Sequence, residues 1–227
     1  MNNKPIGIFD SGLGGLTVQS ELMRLLPAED TVYLGDTAHV PYGTKSSETV
    51  TRYSLEIADF LSEIGIKLLV VACNTASAYA IEKPTEVLDI PVIGVIEPGA
   101  RMAVEATASG SVGIIGTEGT VRSRAYQDAV ERIDPDVKVN TLACPLFVPL
   151  VEEGFLDNSI AELTAKEYLG EFKEIGIDTL VLGCTHYPLL KSVISKTLGP
   201  AVKLIDSAEA TASEVSQVLG VKGLLKE

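Results

Sequence analysis

The chain has 227 residues, 46% of them hydrophobic and only 5% aromatic, with no Trp. That is enough for one large core or two smaller ones, built from aliphatic side chains. Its 18 Lys and Arg stand against 31 Asp and Glu, a formal charge of −13 with no basic block, which argues against nucleic acid or an anionic membrane as a partner.

Taken from the N-terminus, short apolar strands alternate with helical stretches. Strands are predicted near 5–9, 31–35, 67–72, 92–96, 111–116, 137–142, 178–183 and 202–205. Helical periodicity covers 16–26, 47–64, 76–82, 98–107, 121–132, 158–174, 188–197 and 208–218. Runs such as Leu68-Leu69-Val70-Val71-Ala72 are apolar at every position. A strand of that kind is covered on both faces, so the expected fold is α/β, with mainly parallel sheets flanked by helices. No apolar run reaches the roughly 18 residues of a membrane span. Lys4-Pro5 leads directly into Ile6-Gly7-Ile8-Phe9, a core strand rather than a signal peptide, so a cytoplasmic location is expected. The three cysteines form no C-x-x-C pair. Neither a disulfide framework nor a structural zinc site is expected from them.

The chain repeats itself. Ile64-Gly65-Ile66, Leu69-Val70 and Cys73 recur 111 residues later as Ile175-Gly176-Ile177, Leu180-Val181 and Cys184. Ile6-Gly7-Ile8 before Asp10-Ser11 loosely parallels Val112-Gly113-Ile114 before Gly116-Thr117. Two matching pairs in the same order point to two similar α/β domains. The expected division is residues 1–96 plus 207–227, carrying Cys73, and residues 97–206, carrying Cys184. In open parallel sheets a ligand sits beyond the carboxyl ends of the strands. Each domain therefore offers one Cys to a shared cleft.

Both thiols sit where an apolar strand turns polar. Cys73 opens Cys73-Asn74-Thr75-Ala76 just before a helix, a setting that lowers a thiol's pKa and offers N–H donors to an anion. Cys184 lies in Gly183-Cys184-Thr185-His186-Tyr187-Pro188, where the neighbouring His can serve as acid, base or thiol partner. A buried Cys is ordinarily a small hydrophobe. That reading is kept for Cys144, which has no repeat partner. The Gly-rich turn Asp10-Ser11-Gly12-Leu13-Gly14-Gly15 matches neither G-x-G-x-x-G nor the P-loop pattern. Asp10 could poise a thiol, bind a ligand ammonium, or simply cap a turn. Pro41-Tyr42-Gly43-Thr44 could close over a ligand or form an ordinary turn. Thr117 and Thr120 could cap a helix or donate to a ligand. Glu152 could orient His186 or stay solvated, and His39 has no evident partner.

Together these segments resemble the glutamate racemase family, within the aspartate/glutamate racemase superfamily. Phe9-Asp10-Ser11-Gly12-Leu13-Gly14-Gly15, Pro41-Tyr42-Gly43, Cys73-Asn74-Thr75-Ala76, Gly183-Cys184-Thr185-His186-Tyr187-Pro188 and Asp206-Ser207-Ala208 occur in family order across nearly the whole chain. The resemblance implies a cofactor-independent, metal-free interconversion of L- and D-glutamate, the D isomer supplying peptidoglycan synthesis. It implies Cys73 and Cys184 as the acid/base pair, with Asp10 assisting Cys73, and His186 and Glu152 assisting Cys184. Asp10, Ser11, Pro41, Tyr42, Gly43, Asn74, Thr75, Thr117, Thr120, Thr185 and His186 would bind the substrate. A homodimer is implied as well. His186 replaces the acidic residue usual in aspartate-specific relatives, which favours glutamate. In the family another helix and strand follow Asp206-Ser207-Ala208, whereas this chain ends at Glu227.

The residue types fit the chemistry. Racemisation removes the α-proton from one face and returns one to the other, so two groups must flank the reacting carbon, one as thiolate and one as thiol. Rival readings on the same frame are an aspartate racemase or another thiol-dependent isomerase of small diacids, separable by substrate profile. An amino-acid-binding protein that exchanges no α-proton is a further rival. So is a zinc hydrolase built on Cys73, Cys184 and His186, which metal analysis would reveal.

Overall fold

The computed structural model describes residues 2–226. The first sheet contains β1 (Ile6–Asp10), β2 (Thr31–Gly35), β3 (Leu68–Val71) and β4 (Val92–Gly94). The second contains β5 (Ser111–Gly116), β6 (Lys138–Ala143), β7 (Thr179–Gly183) and β8 (Lys203–Asp206). The strand orders are β2-β1-β3-β4 and β6-β5-β7-β8, the same topology twice, and every pairing is parallel.

The helices follow in chain order. They are α1 (Leu16–Leu25), α2 (Ser47–Ile64), α3 (Asn74–Ala80), α4 (Glu82–Val87), α5 (Ile96–Ala106), α6 (Glu118–Ser123), α7 (Ala125–Ile133), α8 (Phe147–Glu152), α9 (Ser159–Ile175), α10 (Lys191–Leu198) and α11 (Ser207–Val221). A 3₁₀ turn, Tyr187–Leu190, precedes α10.

Burial explains why the strands read as continuous apolar runs. Successive strand residues face opposite sides of a sheet. Leu68 and Val70 enter a core with α1 and α11, while Leu69 and Val71 enter another with α2. In the second sheet Leu180 and Leu182 pack with α9 and α10, and Val181 packs with α5 and α7. The repeated Ile-Gly-Ile marks the C-caps of α2 and α9. Gly65 (φ 90°) and Gly176 (φ 76°) take the left-handed conformation that ends each helix, which is cheap only for glycine. The last helix, α11, places Ala208, Ala212, Val215 and Leu219 in the core of the first sheet, although β8 just before it pairs in the second.

Three helical expectations need correction. The stretch predicted as one helix over 121–132 is two, broken at Arg124 (φ 61°). Ser123 Oγ donates to the Thr120 carbonyl and accepts from the Ala125 N–H, local bonds that compete with helix continuation. The stretch at 76–82 belongs to α3 and α4, with Pro84 in the first turn of the second, where its missing N–H costs nothing. The same tolerance lets Pro149 sit in the first turn of α8, a helix absent from the sequence reading.

Candidate active site

The carboxyl ends of the two sheets face each other across a cavity of about 360 Å³. Its wall includes Ser11, Pro41, Tyr42, Gly43, Cys73, Asn74, Thr75, Thr117, Glu152, Cys184, Thr185 and His186, all singled out from the sequence. Asp10 and Thr120 do not line it. Asp10 is fully buried beneath the turn that follows β1, and Thr120 lies behind Thr117, its hydroxyl 3.1 Å from the Thr117 hydroxyl. Val40, Pro145, Val148 and Pro149 supply an apolar rim that the sequence reading missed. Among the described residues, no group of three or more His, Cys, Asp or Glu is arranged to hold a metal ion.

Cys73 follows β3 and caps α3. Its thiol accepts from the Ala76 N–H at 3.5 Å and donates to Ser11 Oγ at 3.4 Å. Burial, then the negative charge of Asp10, pushes this thiol up to about 11, opposed by the hydrogen bonds that Ser11 and Ala76 offer the thiolate. Cys184 follows β7, with its sulfur 3.9 Å from His186 Nδ1. The other ring nitrogen of His186 meets Glu152 Oε1 at 3.2 Å. Burial raises Cys184 further than Cys73, opposed by the His186 N–H, while the charges of Cys73 and Asp10 add to the rise. The Asp10 carboxyl is itself raised by burial, and N–H groups of Gly12, Gly15 and Ser11 oppose that rise. Its Oδ2 accepts from Gly12 at 2.9 Å, and Oδ1 has no hydrogen-bond partner among the described residues.

Several contacts hold the two lobes together around the cavity. The Thr75 and Thr117 hydroxyls meet at 2.9 Å, and the Gly119 N–H donates to the Gly43 carbonyl at 2.9 Å. The Thr17 hydroxyl reaches the Thr185 carbonyl at 3.1 Å. Gly14 allows the closest approach: a Cβ there would lie 2.3 Å from Thr185 Oγ1 and 2.6 Å from His186 Nδ1. The loop behind Tyr42 is anchored by Asp36, which accepts from the Tyr42 hydroxyl at 2.6 Å and pairs with His39 at 2.8 Å. His39 stacks on Tyr53. Asp36 was not singled out, though its signal was present: it follows β2 as Asp10 ends β1, with Asp10 and Gly35 in register. Cys144 is fully buried with Phe147, Tyr187 and the helices of the second lobe, and burial pushes its thiol up to about 12.

Comparison with known proteins agrees with this geometry. The model of the Asp/Glu/Hydantoin racemase family matches residues 14–215. A glutamate racemase of Geobacter metallireducens is 66% identical over 223 residues, spanning 98% of this chain and 83% of the relative. A crystal structure of a glutamate racemase from Bacillus anthracis superposes with a TM-score of 0.98 at 46% identity, covering 100% of this chain and 85% of that one. A glutamate racemase of Francisella tularensis, solved in complex with D-glutamate, superposes with a TM-score of 0.94 at 42% identity, covering 100% and 84%.

Proposed function

The chain belongs to the Asp/Glu/Hydantoin racemase family, and from that premise we propose that it interconverts L- and D-glutamate with Cys73 and Cys184 as opposed acid and base. The D-glutamate so made would supply peptidoglycan synthesis, as the family resemblance implies. The observation that carries the reading is the position of the two thiols. Each follows an equivalent strand of one of two like-ordered sheets, and both line one cavity of about 360 Å³, a volume suited to a small molecule.

Among the described residues, no Lys or Arg lies on the wall that a diacid in this cavity would meet. The diacid's carboxylates would be held by the Thr75, Thr117 and Thr185 hydroxyls, by Ser11, by the Asn74 amide and by backbone N–H groups around Gly43 and the start of α3. Such donors, fixed in place and shielded from water, stabilise charge that flows into the α-carboxylate as the proton leaves. Tyr42 and the Val40-Pro41 segment shape the wall. Asp10, below the cavity, would act through the Ser11-Gly12 turn and keep the substrate ammonium charged. Thr120 would act only by holding Thr75 and Thr117.

With both thiols raised by burial, an empty site holds two thiols at neutral pH. Binding brings an ammonium charge among them, which favours loss of one proton. Asp10 is available to the Cys73 side, and His186, backed by Glu152, to the Cys184 side. One sulfur then takes the α-proton while the other returns its own to the opposite face. Exchange of the roles gives the reverse reaction.

No helix among the described residues is long and apolar enough to cross a membrane. A cytoplasmic location and a homodimer are proposed on the family resemblance.

The test is to follow L-glutamate with purified, metal-free protein in D₂O. The expected result is loss of optical rotation together with deuterium at Cα, without added cofactor. Glutamate that binds yet keeps its rotation and its α-proton would sink the reading in favour of a binding protein. Racemisation of aspartate alone would move it to the neighbouring substrate.

A further inference from the structure

Asn74 lines the cavity and is 2% exposed. Its two amide ends have different fates. The oxygen, Oδ1, accepts from the Tyr126 hydroxyl at 2.7 Å, and the Nδ2 group is buried without a partner among the described residues. A carboxamide carries acceptor and donor on opposite arms, so a donor fixed on one arm decides which way the other points. Tyr126 is that donor, and it belongs to α7 of the opposite lobe.

Tyr126 is itself held in place. It is 1% exposed. A Cβ at Gly99 would stand 3.3 Å from its ring, and one at Gly183, next to Cys184, would stand 3.1 Å away. Its ring thus packs on the glycine of α5 and on the end of β7. The Ser207 hydroxyl, where the chain returns to the first lobe, lies beside its own. Burial raises the phenol far above its usual range, so it remains a hydrogen-bond donor at any working pH.

We infer that Tyr126 is a positioning residue for racemisation: its hydroxyl holds the Asn74 amide with the NH₂ group free for a substrate carboxylate. This rests on the reading of the cavity as the racemisation site. Tyr126 and Asn74 come from different lobes, so the bond that aims the donor spans the two.

The test compares glutamate racemisation by the full-length wild type, Tyr126→Phe, Asn74→Ala and the double variant. Phe keeps the ring and its packing, and a cooperative thermal transition checks that each variant is folded. Tyr126→Phe is expected to lower kcat about tenfold with KM changed by less than about twofold, because a donor that acts on developing charge affects the transition state. Asn74→Ala is expected to lower kcat about 100-fold. The double variant is expected to be no slower than Asn74→Ala alone, since Tyr126 then has nothing to orient. Equal slowing of wild type and of Asn74→Ala by the Tyr126 change would overturn the inference. So would a rise in KM at unchanged kcat. An inactive wild type would remove the reading of the site as well, whereas an active wild type with additive effects removes only the role of Tyr126.

Discussion

Cys73 and Cys184 occupy equivalent places in two sheets of the same strand order, but their neighbours differ in kind. Cys73 meets a hydroxyl and a backbone N–H, with a fully buried carboxyl close below. Cys184 meets an imidazole, backed by a carboxylate that is 61% exposed. The shared strand order sets the position of each sulfur, and the loops after β1 and β7 give each sulfur its own environment. The two sides are therefore equivalent in geometry and unequal in electrostatics. That suits a reaction whose two directions are mirror images in the substrate but not in the protein.

The strongest test of equivalence is to remove one sulfur at a time. Cys73→Ala and Cys184→Ala should each lower racemisation about 10³-fold, the scale of a lost acid/base group. Equal losses would confirm that neither thiol suffices for both faces. A variant that kept racemisation above a tenth of the wild-type rate would break the comparison, because one base would then serve both faces.

The unequal electrostatics can be sharpened at Asp10. Its charge helps to hold the Cys73 thiol up at about 11. Asp10→Asn removes that charge, so the Cys73 thiol should titrate at lower pH and react with iodoacetamide at lower pH than in the wild type. The sign follows from the cause: a neighbouring anion disfavours the thiolate, and its loss favours it. Racemisation should nevertheless fall roughly 10- to 100-fold, since the buried carboxylate that acts on the substrate ammonium through the Ser11-Gly12 turn is gone. More thiolate with less turnover is the expected pairing. Alkylation shifted to higher pH would show that Asp10 does not act on Cys73 through its charge.

What could be read in advance follows the same division. All eight strands and the repeat were legible because a strand covered on both faces must be apolar at every position, and Leu68–Val71 and Thr179–Gly183 come close to that rule. Cys73, Asn74, Thr75, Cys184, Thr185 and His186 were legible because they lie at strand ends, where a parallel sheet opens onto a ligand. The pocket rim from α8 was hidden, because Pro149 interrupts a short apolar run while the first turn of a helix tolerates proline. The Tyr126–Asn74 bond was hidden for another reason. It joins residues 52 positions apart across two lobes, and no local pattern records such a pairing. Asp10 lay between these cases: its motif marked it, but only the fold shows that it sits beneath the cavity rather than on its wall.

The smallest effect is expected on the Cys184 side. Glu152 meets His186 at 3.2 Å but is 61% exposed, against 12% for the His186 side chain. A pair so open to water is screened and is worth about 1 kcal/mol or less, roughly a fivefold effect. Glu152→Gln keeps a side-chain oxygen that can still accept from the imidazole. Its kcat should therefore fall by no more than about fivefold, well short of Asp10→Asn, and added salt should narrow the gap to wild type because exposed charges are screened by ions. Rates for both variants at low and high salt check this directly. If Glu152→Gln cost as much as Asp10→Asn at every salt concentration, the exposed carboxylate would be as closely coupled to its sulfur as the buried one. The difference between the two sides would then lie in the identity of their groups and not in their exposure to water.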